Sequence, residues 1–221
     1  MIYYCSEKTL EDNDLIKKIS VEQAVKELLK LTEIGLDTET SGLDEYSLCI
    51  LIGLGDEKNQ YIFDFTVYDK IINILERKDV VFIGHTLKFD MKILLTNLKV
   101  LLHKTFDTMI AEQRIFQGFG ITKHNPRGIS FSLDSTIYRH LNVVRVSDKE
   151  SSRKSFIGKT KENYELSLSD VLYLAEDINN LVPLRKAQLV YIISYNLIRQ
   201  QTIEQKLVKV LAVGEVEGIE F

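Results

Sequence analysis

Only two cysteines, Cys5 and Cys49, occur in the 221 residues. That is too few for a disulfide framework, and a chain of this length buries a core that needs none. A reducing, cytoplasmic setting is the default expectation. There are two prolines and eleven glycines, scattered along the chain, which excludes collagen-like, linker and low-complexity classes. Long hydrophobic runs are missing as well. The most apolar windows, Cys49 to Leu54 and Leu189 to Ile198, fall far short of the ~20 residues of a membrane span. The segment Met1 to Lys8 has neither the basic region nor the apolar stretch of a signal peptide. Positive charge is not in excess either: the formal net charge of -4 argues against coating nucleic acid through bulk charge, though not against gripping one chain end. What is present, 45% hydrophobic and 27% charged residues, fits one large domain or one domain with an appendage.

The first half alternates extended and helical patterns. Ala24, Val25, Leu28 and Leu29 recur at helical spacing within Val21 to Lys30, behind Ser20, whose Gln23 three residues on completes a capping box. Extended runs follow at Glu33 to Thr38, Leu48 to Gly55 and Gln60 to Phe65. The polar tetrad Asp56 to Asn59 joins the last two, which predicts a three-stranded antiparallel meander. Val67 to Arg77 has helical spacing, Val80 to Ile83 reads as a short buried strand, and Leu87 to Leu98 as a helix. Strand, helix, strand, helix in this order implies parallel strands joined to the meander, an α/β mixed sheet. From Phe106 onward the pattern is almost entirely helical. Helices are expected after Asp107, from Ser132 through His140, and over Ser167 to Asn180, Val182 to Arg199 and Thr202 to Glu217, with Pro183 favouring a new first turn near Leu181. Gly118 to Gly128 reads as a loop, and so does Arg145 to Lys161, where six basic residues stand against two acidic ones.

Three local patterns carry chemistry. In Leu36-Asp37-Thr38-Glu39-Thr40 the acids are two apart, so on a strand they share one face. Neighbouring carboxylates are costly unless a cation lies between them or one takes a proton, so the pair is either a hard-metal site or an acidic solvent face. Gly84-His85-Thr86-Leu87-Lys88-Phe89-Asp90 runs from strand into helix, and Asp90 in the first turn is either functional or simply matched to the helix dipole. Tyr173 and Asp177, four apart on a helix, are either site residues or a half-buried tyrosine beside a solvated acid.

Together, Asp37-x-Glu39, Gly84-His85-x3-Phe89-Asp90 and Tyr173-x3-Asp177 resemble the three motifs of the DEDD superfamily of 3'-5' exonucleases, in its tyrosine-bearing branch, over about residues 30 to 185. The resemblance implies an RNase H-like fold. Leu36 to Leu43 is similar to the first motif of the proofreading domains of family A DNA polymerases, which implies that Leu43 wedges against the terminal bases. Lys154 to Lys159 resembles the loop before the third motif, with Phe156 as the aromatic that packs on the substrate strand. Thr38, His85, Thr86 and Phe89 are implied as further substrate contacts, and Arg153, Lys154 and Lys159 as partners of its phosphates. Thr86 departs from the Asn frequent in the family, and Gly118 to Gly128 has no family counterpart. The stretch Glu204 to Ile219 is similar to the helix that opens the polymerase thumb, the alternative being an amphipathic terminal helix. On the first reading residues 1–200 form the exonuclease domain and 201–221 a helical tail leading to a polymerase domain on the same longer chain.

Four carboxylates with no Cys or His ligand pattern favour a hard cation, Mg²⁺ or Mn²⁺. The resemblance implies two such ions, with Asp37 bridging both, Glu39 and Asp177 on the nucleophile side, and Asp90 acting through water on the other. Tyr173 is implied to orient the attacking water; a phenol with its ordinary pKa of about 10 is no base at neutral pH. The expected activity is release of nucleoside 5'-monophosphates from single-stranded or frayed DNA 3' ends. An RNA-trimming exonuclease of the RNase D type and a catalytically silent nucleic-acid-binding domain are the alternatives. None of them involves a membrane, and the setting is the cytoplasm or the replication compartment of a virus-infected cell.

Overall fold

The computed structural model describes residues 1–8, 10, 14–117, 119–120, 128–144 and 155–219. Among these, seven strands form one mixed sheet: β1 (Ile2–Cys5), β2 (Ile16–Lys18), β3 (Glu33–Thr40), β4 (Cys49–Gly55), β5 (Gln60–Asp64), β6 (Val81–Gly84) and β7 (Lys104–Asp107). Their order across the sheet is β2-β1-β5-β4-β3-β6-β7. The predicted meander is β3, β4 and β5, and β6 and β7 extend it in parallel beyond β3. The other edge was not anticipated. There β1 pairs in parallel with β5, and β2 with β1. Strands of four and three residues are too short to show a period, so their pairing with β5 is what makes them strands. For the same reason β7 lies where a helical region was expected to begin: its ladder to β6 overrides local preference.

Helices cover both faces: α1 (Val21–Leu28), α2 (Ile72–Leu75), α3 (Leu87–Leu98), α4 (Thr108–Ile115), α5 (Leu133–Leu141), α6 (Leu168–Asn179), α7 (Leu181–Ser194) and α8 (Ile198–Val216). Ser20 and Gln23 form the reciprocal capping box on α1, and Asp107, Ser132 and Ser167 cap α4, α5 and α6 through their side chains. Pro183 sits in the first turn of α7, where its missing N–H leaves no intrahelical bond unmade. The helix expected over Val67 to Arg77 is instead a 3-10 turn, Tyr68–Lys70, followed by the single turn of α2. Neither has a side-chain cap, and the β-branched Val67, Ile71, Ile72 and Ile74 lose side-chain freedom in a helix.

Two apolar layers sandwich the sheet. In one, Leu36, Ile52, Phe63 and Phe82 pack with Leu28, Met91 and Leu94 and with Val208 and Ala212 of α8, so residues of the expected tail belong to the same core. In the other, Leu51, Ile62 and Ile83 pack with Leu174, Ile178, Leu181 and Ile192 of α6 and α7. No helix among the described residues is long and apolar enough to cross a membrane.

Candidate active site

Two glycines let α6 lie close on the sheet. Gly53 is paired with Asp37 across the ladder, and a Cβ there would come within 2.9 Å of the Leu174 side chain. At Gly35 a Cβ would meet the Ile178 carbonyl oxygen at 2.8 Å. This approach sets Asp177 of α6 against Asp37 and Glu39 of β3, with carboxylate oxygens of all three within 4.8 Å of one another. The β3/β4 register shifts between Glu39 and Thr40, so the regular ladder ends just past the two acids. Tyr173, one turn before Asp177, lines the same cleft.

Asp90 arrives by a different route. The chain leaves β6 through Gly84, His85 and Thr86, and Thr86 has φ 65°, a left-handed conformation costly for a β-branched residue. The N–H groups of Thr86 and Leu87 donate to the Asp107 carboxylate at 3.2 and 2.7 Å, and α3 begins there. Asp90, in its first turn, is 2% exposed and accepts both the backbone N–H of Thr38, at 3.0 Å, and its hydroxyl, at 2.7 Å. Burial pushes the Asp90 carboxyl up to about 7; the Thr38 hydrogen bonds oppose the rise and the nearby Asp107 charge adds to it. Asp107 is also raised by burial, against the pull of its four backbone N–H donors. Asp90 lines the cleft but is not one of the three carboxylates that converge within 4.8 Å.

The cleft holds about 700 Å³. Thr38, Leu43, His85, Thr86 and Phe89, named from sequence as substrate contacts, line it, and Leu43 stands 85% exposed. His85 lies with Nδ1 2.9 Å from the Thr108 hydroxyl and Nε2 3.0 Å from the Phe131 carbonyl oxygen, so the ring spans β6, α4 and the segment before α5. Phe156 requires a correction. It is 1% exposed, packed near Tyr164, whose hydroxyl donates to Asp170, and its ring is closed off from a substrate strand. Its neighbour Ile157, 55% exposed, lines the cleft instead. Arg153 and Lys154 lie outside the described residues, and Lys159 is half-buried and is not among the lining residues.

The sequence reading also missed Phe131 to Asp134, which form part of the cleft lining at the start of α5. Ser132 was legible as the start of a helix, but nothing local says which cavity that helix end meets. Behind this wall, Glu112 of α4 is fully buried. Arg139 and His140 of α5 donate to it, the latter at 2.7 Å, and the Gln188 amide of α7 at 2.9 Å. Burial works to raise the Glu112 carboxyl, but the hydrogen bonds from His140 and Gln188 and the charges beside it hold it below the usual range.

A family model described as a 3'-5' exonuclease matches residues 16–189. No curated protein sequence matches the chain. Among solved structures, NrnC from Brucella melitensis superposes with a TM-score of 0.72 at 15% identity, over 98% of this chain and 94% of that one. RNase D from Escherichia coli, described as an exoribonuclease involved in structured RNA processing, gives 0.70 at 19% identity, over 87% and 48%. The catalytic core of RRP6 from Trypanosoma brucei gives 0.68 at 19%, over 93% and 51%. At these identities the likeness is one of fold, and that fold is the RNase H-like mixed sheet.

Proposed function

Because the chain belongs to the 3'-5' exonuclease family, we propose that it shortens single-stranded RNA from the 3' end and releases nucleoside 5'-monophosphates. The observation that carries the reading is the convergence of Asp37, Glu39 and Asp177 beside Tyr173 in an open cleft.

The converging donors are all carboxylate oxygens, a set that fits Mg²⁺ or Mn²⁺. Asp37, Glu39 and Asp177 would hold one ion, and Asp37 with Asp90 a second. When bound, such ions polarise the phosphodiester and lower the pKa of the attacking water. The Tyr173 hydroxyl, in the same cleft, would orient the attacking water. Phe89 and Phe131 offer ring surface to unstacked bases, where stacking on an aromatic contributes about 1–3 kcal/mol per base. Leu43 and Ile157 bound the strand with apolar side chains. A duplex end must fray before it reaches these surfaces, so single strands and mismatched ends are cut first.

Support for RNA comes from a similar structure, RNase D, which is described as an exoribonuclease involved in structured RNA processing. A second reading, DNA presented by a polymerase domain on the same longer chain, is favoured by the likeness of Leu36 to Leu43 to a proofreading motif. Incubation of 5'-labelled single-stranded RNA and DNA with the protein and Mn²⁺ separates the two. The expected result is a ladder shortening from the 3' end, faster on RNA, stopped by chelation and by Asp37→Ala. Tyr173→Phe should lower kcat by about 10²-fold with little change in KM. Cleavage that survives chelation or Asp37→Ala sinks the exonuclease assignment, and faster cutting of DNA overturns the choice of RNA.

A further inference from the structure

Helix α8 has no residue in the cleft, yet hydrogen bonds tie it to the site. Gln205 is buried, and its amide brackets the main chain of Asp107: Oε1 accepts the Asp107 N–H at 2.7 Å, and Nε2 donates to the Asp107 carbonyl oxygen at 3.1 Å. Both contacts are to backbone, so the Asp107 carboxylate stays available. It accepts four N–H groups, from Met109 and Ile110 at the start of α4 and from Thr86 and Leu87 at the start of α3.

The second pair matters most. Thr86, the N-cap residue of α3, makes no side-chain cap bond, and its hydroxyl points to the Met109 sulfur. Asp107 therefore satisfies, from another strand, donors that α3 leaves orphaned. Asp90 sits in that same first turn and is joined to Thr38, between Asp37 and Glu39. One series of contacts thus runs from Gln205 through Asp107, the first turn of α3 and Asp90 to the acidic strand. Glu215 of α8 adds a second tie, with ion pairs to Lys88 at 2.6 Å and Lys92 at 2.9 Å on α3.

We propose that Gln205 is a positioning residue for Asp90, and that α8 braces the active site by holding the first turn of α3 at its spacing from β3. The proposal rests on the exonuclease reading above. A catalytic group displaced by about 1 Å can cost about 10²-fold in rate, so loss of the brace acts on turnover more than on substrate affinity.

Gln205→Leu keeps most of the volume and removes both hydrogen bonds. Val208→Ala, on the same helix, removes apolar contact from the core and lowers stability, while the Gln205 hydrogen bonds and the Glu215 ion pairs that tie α8 to α3 stay in place. The two are compared at matched loss of Tm, by three measurements: amide exchange at Leu87 in the metal-free protein, Mn²⁺ affinity by calorimetry, and kcat and KM on single-stranded RNA. Gln205→Leu is expected to speed Leu87 exchange and weaken Mn²⁺ binding, and to lower kcat by about 10- to 100-fold with KM within about twofold. Val208→Ala should leave these values near wild type. If Gln205→Leu does not fold, Gln205→Glu, which keeps an acceptor for the Asp107 N–H and loses the donor, is read in the same way. Variants at Gln205 that match Val208→Ala in exchange, metal affinity and kcat overturn the proposal. Wild-type protein without nuclease activity would sink the exonuclease reading, while Leu87 exchange still decides whether the brace exists.

Discussion

Two carboxylates lie equally deep in this chain, Asp90 at 2% exposure and Glu112 at 0%, and their proton affinities move in opposite directions. Burial raises both. At Glu112 an imidazole, an amide and a guanidinium converge on the acid, and together they outweigh the burial. At Asp90 the donors are the neutral N–H and hydroxyl of Thr38, and the next charge is that of Asp107, another acid. The difference teaches that depth alone does not mark a functional acid. Glu112 is compensated by groups of the protein and joins α4, α5 and α7, whereas Asp90 is buried without a basic partner among its hydrogen bonds and its proton affinity is raised.

The largest expected effect comes from Asp90→Asn: on the two-ion reading proposed above, it should reduce turnover by about 10³-fold or more, because several kcal/mol of charge stabilisation would depend on this carboxylate. Its effect on the metal-free fold has the opposite sense. The folded value of Asp90, about 7, lies above its unfolded value. The stability conferred by its proton is therefore complete below the unfolded pKa of about 3.9 and lost as pH rises through the folded value. Asn removes that dependence, so between about pH 5 and 8 the variant should hold its Tm better than metal-free wild type. A wild-type Tm that is flat across this window would erase the contrast with Glu112.

Glu112→Gln comes next. Removing one partner of a buried ion pair costs about 3–5 kcal/mol, to be read from denaturant unfolding, while turnover per folded molecule stays close to wild type. Here the sign reverses: the folded Glu112 value is depressed, so its contribution is present above the unfolded pKa and fades as pH falls through the lower folded one. The wild type should lose stability at acid pH more steeply than Glu112→Gln. A cost below about 1 kcal/mol would mean that the Glu112 cluster does not hold the helices.

Thr38→Val sharpens the comparison with the smallest change. It deletes the hydroxyl bond to Asp90 and keeps the backbone one, a loss of about 1 kcal/mol. The Asp90 carboxyl should rise further, moving the acid limb of the pH dependence of kcat upward by about one unit or less. An unmoved limb would show that the hydroxyl does not tune this acid.

Much of the site was legible from local pattern. Asp37 and Glu39 at strand spacing, Tyr173 and Asp177 at helical spacing, and the capping box of Ser20 and Gln23 are all relations within four residues. Phe156 shows the limit of such reading. An aromatic in a loop before α6 is a reasonable stacking surface, but Tyr164 and the core take the ring, and a shift of one residue leaves Ile157 facing the cleft. Asp107 was legible as the cap of α4, whereas its second service, to α3, joins residues far apart in the chain.

Periodicity of two on a strand and of nearly four on a helix is a property of the backbone within one element, and so the motifs and their order could be read without coordinates. Which element meets which is a property of packing. Gly35 and Gly53 admit α6 to the sheet, Thr38 reaches Asp90 across 52 residues, and Gln205 reaches Asp107 across 98. The proton affinities of Asp90 and Glu112 belong to that second class, because burial and the charge of a distant neighbour exist only once the chain is closed.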